Sequence, residues 1–271
     1  MVVGSLAPTT AVRTIRAPRN NRRRILSLVV IAAAIIAWEV VARTGLLSAA
    51  LLPPASEVLV ALWRLLPQSG FWGSVGLTVG GAMIGLAISA VIAIPIGLMA
   101  GLIPFVERST RMLVDLGRSF PSIALLPVIV LVHGTSITSK VIAVVLACSF
   151  PLIVQSLYGA RGIDPAIVET SRAYRVRAPL YFLRVALPTA TPSIMTGLRL
   201  AATMAVLVSV GSEVVGSIPG IGFGLATAQV DGATSTAFAY FIVAGTLGYV
   251  VTRSAETLEG HFLRWRQNTD D

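Results

Sequence analysis

Residues 141–160 read VIAVVLACSFPLIVQSLYGA, with no formal charge, and residues 161–175 continue as RGIDPAIVETSRAYR. The first stretch is long enough to cross a hydrocarbon layer about 30 Å thick as a helix. The second brings Arg161, Asp164, Glu169, Arg172 and Arg175 together and belongs in water. The same alternation holds outward from this border, because residues 65–106, 119–139 and 232–252 are also free of charge. Over the whole chain 55% of residues are hydrophobic and 12% charged, and the mean hydropathy is +0.83. A water-soluble domain carries about a quarter charged residues. Strands of a membrane barrel would alternate in polarity over about 10 residues, and these runs do not. The chain reads as an all-α integral membrane protein.

Positive charge on short loops sets orientation. Residues 1–24 carry Arg13, Arg16, Arg19, Arg22, Arg23 and Arg24 among Pro, Thr and Asn, and are expected to form a disordered cytoplasmic tail before a transmembrane domain over 25–271. Six spans are expected near 25–42, 74–102, 112–132, 141–158, 193–215 and 236–254, with both termini cytoplasmic. Ser56 is expected to cap a short outer helix with Val58, Leu59, Leu62 and Leu66 on one side. Pro95 marks a kink in span two, and Phe120-Pro121 a break in span three. Residues 133–140 form an outer turn and the glycine-rich 216–235 an outer loop. The cytoplasmic segment 159–192 holds Arg161, Arg172, Arg175, Arg177 and Arg184.

Several function classes lose support at this stage. The net charge of +9 lies at span ends rather than in a nucleic-acid-binding patch. Cys148 is the single cysteine, and His133 and His261 lack metal-ligand spacing, so no metal or cofactor site is expected. Gly134 to Lys140 mimics a phosphate-binding loop, but it lacks the glycine before the lysine and has Val141 where Ser or Thr should follow. No Ser/His/Asp or paired-carboxylate constellation suits an intramembrane enzyme. Asp115 with Arg118, and Glu39 with Arg43, have spacings that allow pairing on one helix face. Gly80, Gly81, Gly85, Ala82, Ala87 and Ala90 offer small faces for close packing of span two.

Glu213 is a carboxylate at membrane depth, where even a lenient scale assigns a cost of about 2.5–3.5 kcal/mol, so it must face protein or a wet cavity. Two readings stand side by side. Glu213, with Ser209 one turn before it, lines the translocation path near the outer mouth, or Glu213 holds 216–235 through backbone N–H groups. An ion-coupled secondary transporter built on Glu213 is the rival function, but it should show two matching halves, and no internal repeat is visible.

In the segment that opened this section, Asp164 suits a helix cap and Pro165 a first turn, so a helix over 165–174 is expected. It is too short to persist alone in water and needs a surface to dock on. Glu169 opens a pattern of fixed spacing, with Arg175 six residues on, then Val185, then Leu187-Pro188. This spacing resembles the coupling segment of permease subunits of bacterial ABC importers, with Thr170 and Ser171 in place of two alanines and Arg175 in place of a glycine. Trp38-Glu39, Leu52-Pro53-Pro54-Ala55-Ser56, Phe120-Pro121-Ser122-Ile123-Ala124, Pro127, Thr196-Gly197-Leu198-Arg199-Leu200, Glu213 and Gly220-Ile221-Gly222 are similar to its nitrate, sulfonate and taurine branch, over roughly 38–265.

The resemblance implies a type I ABC importer permease fold in a bacterial inner membrane. It implies a second permease copy, two cytoplasmic ATP-binding subunits and an extracytoplasmic solute-binding protein, with ATPase activity in the partner subunits. It implies a small, mostly anionic solute (a sulfonate, taurine, nitrate, an aromatic acid or a vitamin precursor). It assigns ATPase coupling to Glu169, Thr170, Ser171, Arg172, Ala173, Arg175, Leu187 and Pro188. Because arginine adopts a left-handed turn less readily than glycine, the coupling helix is expected to run further, with Arg175 touching the ATPase.

The arginine distribution generates a direct test. A reporter fused after Arg175 is expected in the cytoplasm, and one inserted in 216–235 outside it. Accessibility of both from the same side of the membrane would exclude the six-span topology.

Overall fold

The computed structural model describes residues 21–45, 48 and 50–262. The arginines of residues 1–20, together with Arg264, Trp265 and Arg266, lie outside the described residues. All regular elements among the described residues are helical: α1 (Asn21–Arg43), α2 (Ala55–Leu65), α3 (Ser69–Leu102), α4 (Pro104–Ser119), α5 (Leu126–His133), α6 (Ile137–Arg161), α7 (Pro165–Ala173), α8 (Ala178–Tyr181), α9 (Leu187–Gly216), α10 (Ile221–Val230) and α11 (Thr234–Phe262). Five helical segments are long and apolar enough to cross a membrane, and a bent pair, Pro104–Ser119 with Ser122–His133, makes a sixth. This is the all-α, six-span architecture expected from the sequence.

α3, α6 and α9 form the centre. Gly81, Gly85, Ser89, Ala93, Gly97 and Gly101 recur every fourth position on α3, which aligns them in one ridge of the helix surface. Lipid tails are as apolar as leucine, so helices associate through close van der Waals contact at such small residues. A Cβ at Gly97 would run into the Ile153 carbonyl oxygen of α6, a backbone atom that no rotamer change can move. Beyond this seam, Leu126, Val144, Cys148, Leu152, Ala201, Ala205 and Val206 form the main core. Of the small residues named from the sequence, Gly81, Ala82 and Gly85 face inward. Gly80 has open space above it and Ala87 is exposed.

α1 stands apart. Its Ile25, Leu28, Val30 and Ile36 are each more than half exposed, a surface suited to lipid. It is tied to α2 by polar bonds at its C-terminal end. Trp38 Nε1 donates to the Pro53 carbonyl (3.1 Å), and Glu39 takes Arg43 (2.6 Å) and both the N–H (3.0 Å) and hydroxyl (2.9 Å) of Ser56. Ser56 is therefore not the cap of α2. Pro54 occupies that position, and its ring has no acceptor with which to cap the helix; Ser56 lies inside the first turn, where its hydroxyl reaches Glu39. Val58 is buried, but Leu59 is well exposed, so the inward side of α2 is narrower than the pattern implied.

Further differences from the sequence reading have local causes. α1 begins at Asn21, inside the expected tail. Pro95, expected at a kink, lies inside α3, which continues through it as one helix, as a proline can bend a helix without ending it. Span three starts at Pro104 rather than near 112 and bends by 86° between its halves. Pro121 has no N–H to donate, and Phe120 before it is extended. Asp115 and Arg118 form no ion pair among the described residues. Span five does not begin at 193: helical structure runs from Ala178 through a π-turn at Phe182–Ala186 into α9. Pro188 cannot donate to Arg184, and the Leu187 N–H reaches back to the Phe182 carbonyl instead. The expected loop 216–235 contains the ten-residue helix α10.

Gly97→Leu should lower the stability of the purified protein by about 1–3 kcal/mol through overpacking, while Gly80→Leu on the open face should be near neutral. Thermal unfolding in detergent reads the contrast. Equal effects would mean that the α3–α6 seam does not depend on the glycine ridge.

Candidate functional site

The segment that resembles a coupling segment forms a short, well-terminated helix on the surface. Asp164 caps α7, its Oδ1 accepting from the Ala166 N–H at 2.8 Å, with Pro165 in the first turn. The buried Ile163 precedes this cap and Val168 follows it at the staple position. At the other end the Arg175 N–H donates to Arg172 O (2.9 Å) and the Val176 N–H to Ser171 O (3.0 Å). These are the paired bonds of a Schellman motif, which needs a left-handed residue at its centre. Arg175 is that residue, at φ +49°. The expected extension of the helix is thus overturned, since α7 stops at Ala173. Arg175 adopts the glycine-like turn because two backbone bonds offset a cost of about 1–2 kcal/mol.

Among the described residues nothing covers the outer surface of α7. Glu169, Thr170, Arg172, Ala173 and Arg175 are exposed and Ser171 half-buried. Tyr174 is 81% exposed. Among the described residues no ion pair involves Glu169, Arg172, Arg175, Arg177 or Arg184. Leu187 is half-buried and Pro188 exposed, at the junction of the π-turn with α9. Next to α7, Arg161 at the end of α6 is ion-paired with Glu107 in the first turn of α4. The base of α7 is therefore tied to the broken span.

At the other end of the bundle Glu213 is fully buried. Its Oε1 faces Lys140 Nζ at 2.6 Å. Its Oε2 accepts from the Thr78 hydroxyl (2.9 Å) and the Gly222 N–H (2.8 Å). Lys140 also donates to the carbonyls of Leu77 (3.2 Å) and Pro219 (2.9 Å). Thr78 accepts from the Ile221 N–H (3.0 Å), and Ser209 donates to the Thr78 carbonyl (3.0 Å). α3, α6, α9 and the start of α10 thus meet in one dry polar knot. Gly81 leaves room for the lysine stem, since a Cβ there would stand 2.5 Å from Lys140 Cδ. A Cβ at Gly220 would overlap the Glu213 carboxyl.

This geometry favours the second reading of Glu213, as the group that holds 216–235 by backbone N–H. Lys140, placed by the sequence in an outer turn, is instead 1% exposed in the first turn of α6. A signal for the pairing is nonetheless present in the sequence. A lone cation at the head of a twenty-residue apolar run and a lone carboxylate at the end of another each require a buried counter-charge.

The sequence matches, over residues 93–264, the family described as "Binding-protein-dependent transport system inner membrane component". The chain belongs to this family. It is 27% identical over 266 residues to the putative aliphatic sulfonates transport permease protein SsuC of Bacillus subtilis, covering 98% of this chain and 96% of that protein. The SsuC of Escherichia coli is 30% identical over 228 residues, covering 84% and 87%. The taurine transport system permease protein TauC of Escherichia coli is 26% identical over 250 residues, covering 90% and 91%. Among solved structures, the inward-facing MetNI methionine ABC transporter superposes with a TM-score of 0.64 at 18% identity, covering 71% of this chain and 96% of that one. The fold is that of a type I importer permease. As a permease of an ABC importer, the chain is a multi-pass inner-membrane subunit that works with ATP-binding subunits and a solute-binding protein.

Removing one member of a buried ion pair costs about 3–5 kcal/mol, because the survivor is left charged and dry, while replacing both by apolar groups costs far less. Lys140→Met and Glu213→Leu should each destabilise the purified permease strongly, and the double variant less than either. Thermal unfolding of the four proteins measures this, and additive losses would contradict a paired role.

Proposed function

We propose that two copies of this chain form the translocation path of an importer for a small anionic solute of the sulfonate class. Two cytoplasmic ATPases dock on α7, and an extracytoplasmic binding protein delivers the solute. Both termini are cytoplasmic, and ATP hydrolysis belongs to the partner subunits. The observation that carries this reading is α7: a nine-residue helix, capped at both ends, exposed along its outer side and too short to persist unsupported. Such a helix fits a partner's groove. The solute class follows from the relatives whose names specify aliphatic sulfonates and taurine.

Nucleotide can bias a permease only through contacts that differ between its two states. α7 offers the place for such contacts, and the Arg161–Glu107 pair offers a route inward from α7 to α4. The secondary-transporter alternative gains nothing from the geometry, because Glu213 is neutralised by Lys140 in a fully buried site. Glu213 and Ser209 serve the path here by fixing its outer end.

Co-purification of the ATPase with permease variants tests the docking site. Glu169→Lys reverses a charge on the exposed side of α7 and should abolish association while membrane insertion is kept. Arg175→Gly preserves the left-handed turn, so a weakened association with that variant reports loss of an arginine contact. Undiminished recovery with Glu169→Lys would remove the basis for placing the ATPase on this helix.

A further inference from the structure

A cavity of about 330 Å³ opens behind the break in span three, between α4, α6 and α9. Its walls are largely apolar, with Phe120, Leu200 and Met204 among them, and its polar groups include Arg118, Ser122 and Gln155. No acidic residue lines it. Pockets of roughly 300–1,000 Å³ with apolar walls and a few convergent polar groups are the usual form of a small-molecule site.

Arg118 is the cation of this cavity and lacks a counter-charge. It forms no ion pair among the described residues, although Asp115 lies one turn away. Its position is set by packing. Gly117 lets α4 press directly onto the Phe150 ring of α6, where any Cβ would collide. Ile123, just past the break, meets Gly211 of α9, where a Cβ would lie 3.1 Å from Ile123 Cδ1. The guanidinium is therefore carried at the end of a helix braced on α6 and followed by a turn braced on α9. The other end of that helix is tied to Arg161 beside α7.

We propose that Arg118 is a specificity-determining residue of the path, binding the sulfonate or equivalent anionic head of the solute while Phe120, Leu200 and Met204 receive its apolar tail. The inference rests on the reading of the chain as an anion permease. A planar guanidinium can give two parallel hydrogen bonds to a tetrahedral or planar oxyanion, which an ammonium cannot match. Ser122 and Gln155 supply neutral donors on the same walls. An anion in this cavity meets one unpaired cation and no carboxylate.

The test is uptake of ethanesulfonate by the complete complex of permease, ATPase and binding protein, in vesicles of phosphatidylcholine alone and with added phosphatidylglycerol. Arg118→Gln should lower uptake about tenfold or more, the scale of a lost hydrogen bond to a charged group. Arg118→Lys keeps the charge without the fork and should raise KM severalfold with little change in maximal rate, so the proposal stays testable even if Arg118→Gln fails to assemble. Arg108→Gln, on the same helix but outside the cavity, should behave as the parent. An unchanged KM in Arg118→Lys overturns the proposal, and so does parental uptake in an assembled Arg118→Gln. So does equal loss in Arg108→Gln. A defect confined to vesicles containing phosphatidylglycerol would assign Arg118 to a lipid headgroup and likewise overturn it. If the parent carries neither ethanesulfonate, taurine nor nitrate, the anion-importer reading itself fails, a result distinct from any variant effect.

Discussion

A charge in a hydrocarbon layer must find its opposite or water, and in this chain that requirement organises the outer half of the bundle. Lys140 and Glu213 lie more than seventy positions apart in sequence, yet they meet at 2.6 Å in a site sealed from solvent. The pair gains little net stability relative to apolar packing. Its consequence is positional. Lys140 reaches the carbonyls of Leu77 and Pro219, and Glu213 reaches the Gly222 N–H, so backbone from α3 and from the entry to α10 is fixed in register with α6 and α9. α10 is thereby held beside the bundle instead of trailing as a free loop.

The inner half is organised by close approach rather than by charge. The ridge of small residues on α3 brings its backbone against α6, and Gly159 of α6 does the same toward Ala190 and Ser193 of α9. Packed interiors transmit displacement because they have little free volume to absorb it. A push on α7 therefore reaches α6 through the short turn before Asp164, and reaches α4 through Glu107. α4 has no fully buried residue, and it ends at a break bent by 86°. This lightly buried helix is also the one that carries Arg118 to the cavity.

Arg175 shows how a local penalty is absorbed. The position needs a left-handed residue to close α7, and the sequence offers arginine. Two backbone hydrogen bonds and the following half-buried Val176 keep the turn in place, and the exposed side chain remains free to meet a partner. Arginine at this position closes the turn and places a charge on the surface.

The sequence by itself determined the class of the molecule, the number of its spans and the start of α7, because these depend on local quantities. Length of apolar run, arginine at span ends, Asp164 before Pro165 and proline at the break are each readable within a turn or two. What it left undecided were the features that depend on residues distant in sequence. The partner of Glu213, the helix inside 216–235, the failure of Asp115 to pair with Arg118 and the cavity at the break all required the helices to be placed against one another. Only the tertiary structure decided these, because a buried charge is satisfied by whichever group the packing brings within about 3 Å, and spacing along the chain carries no record of that distance.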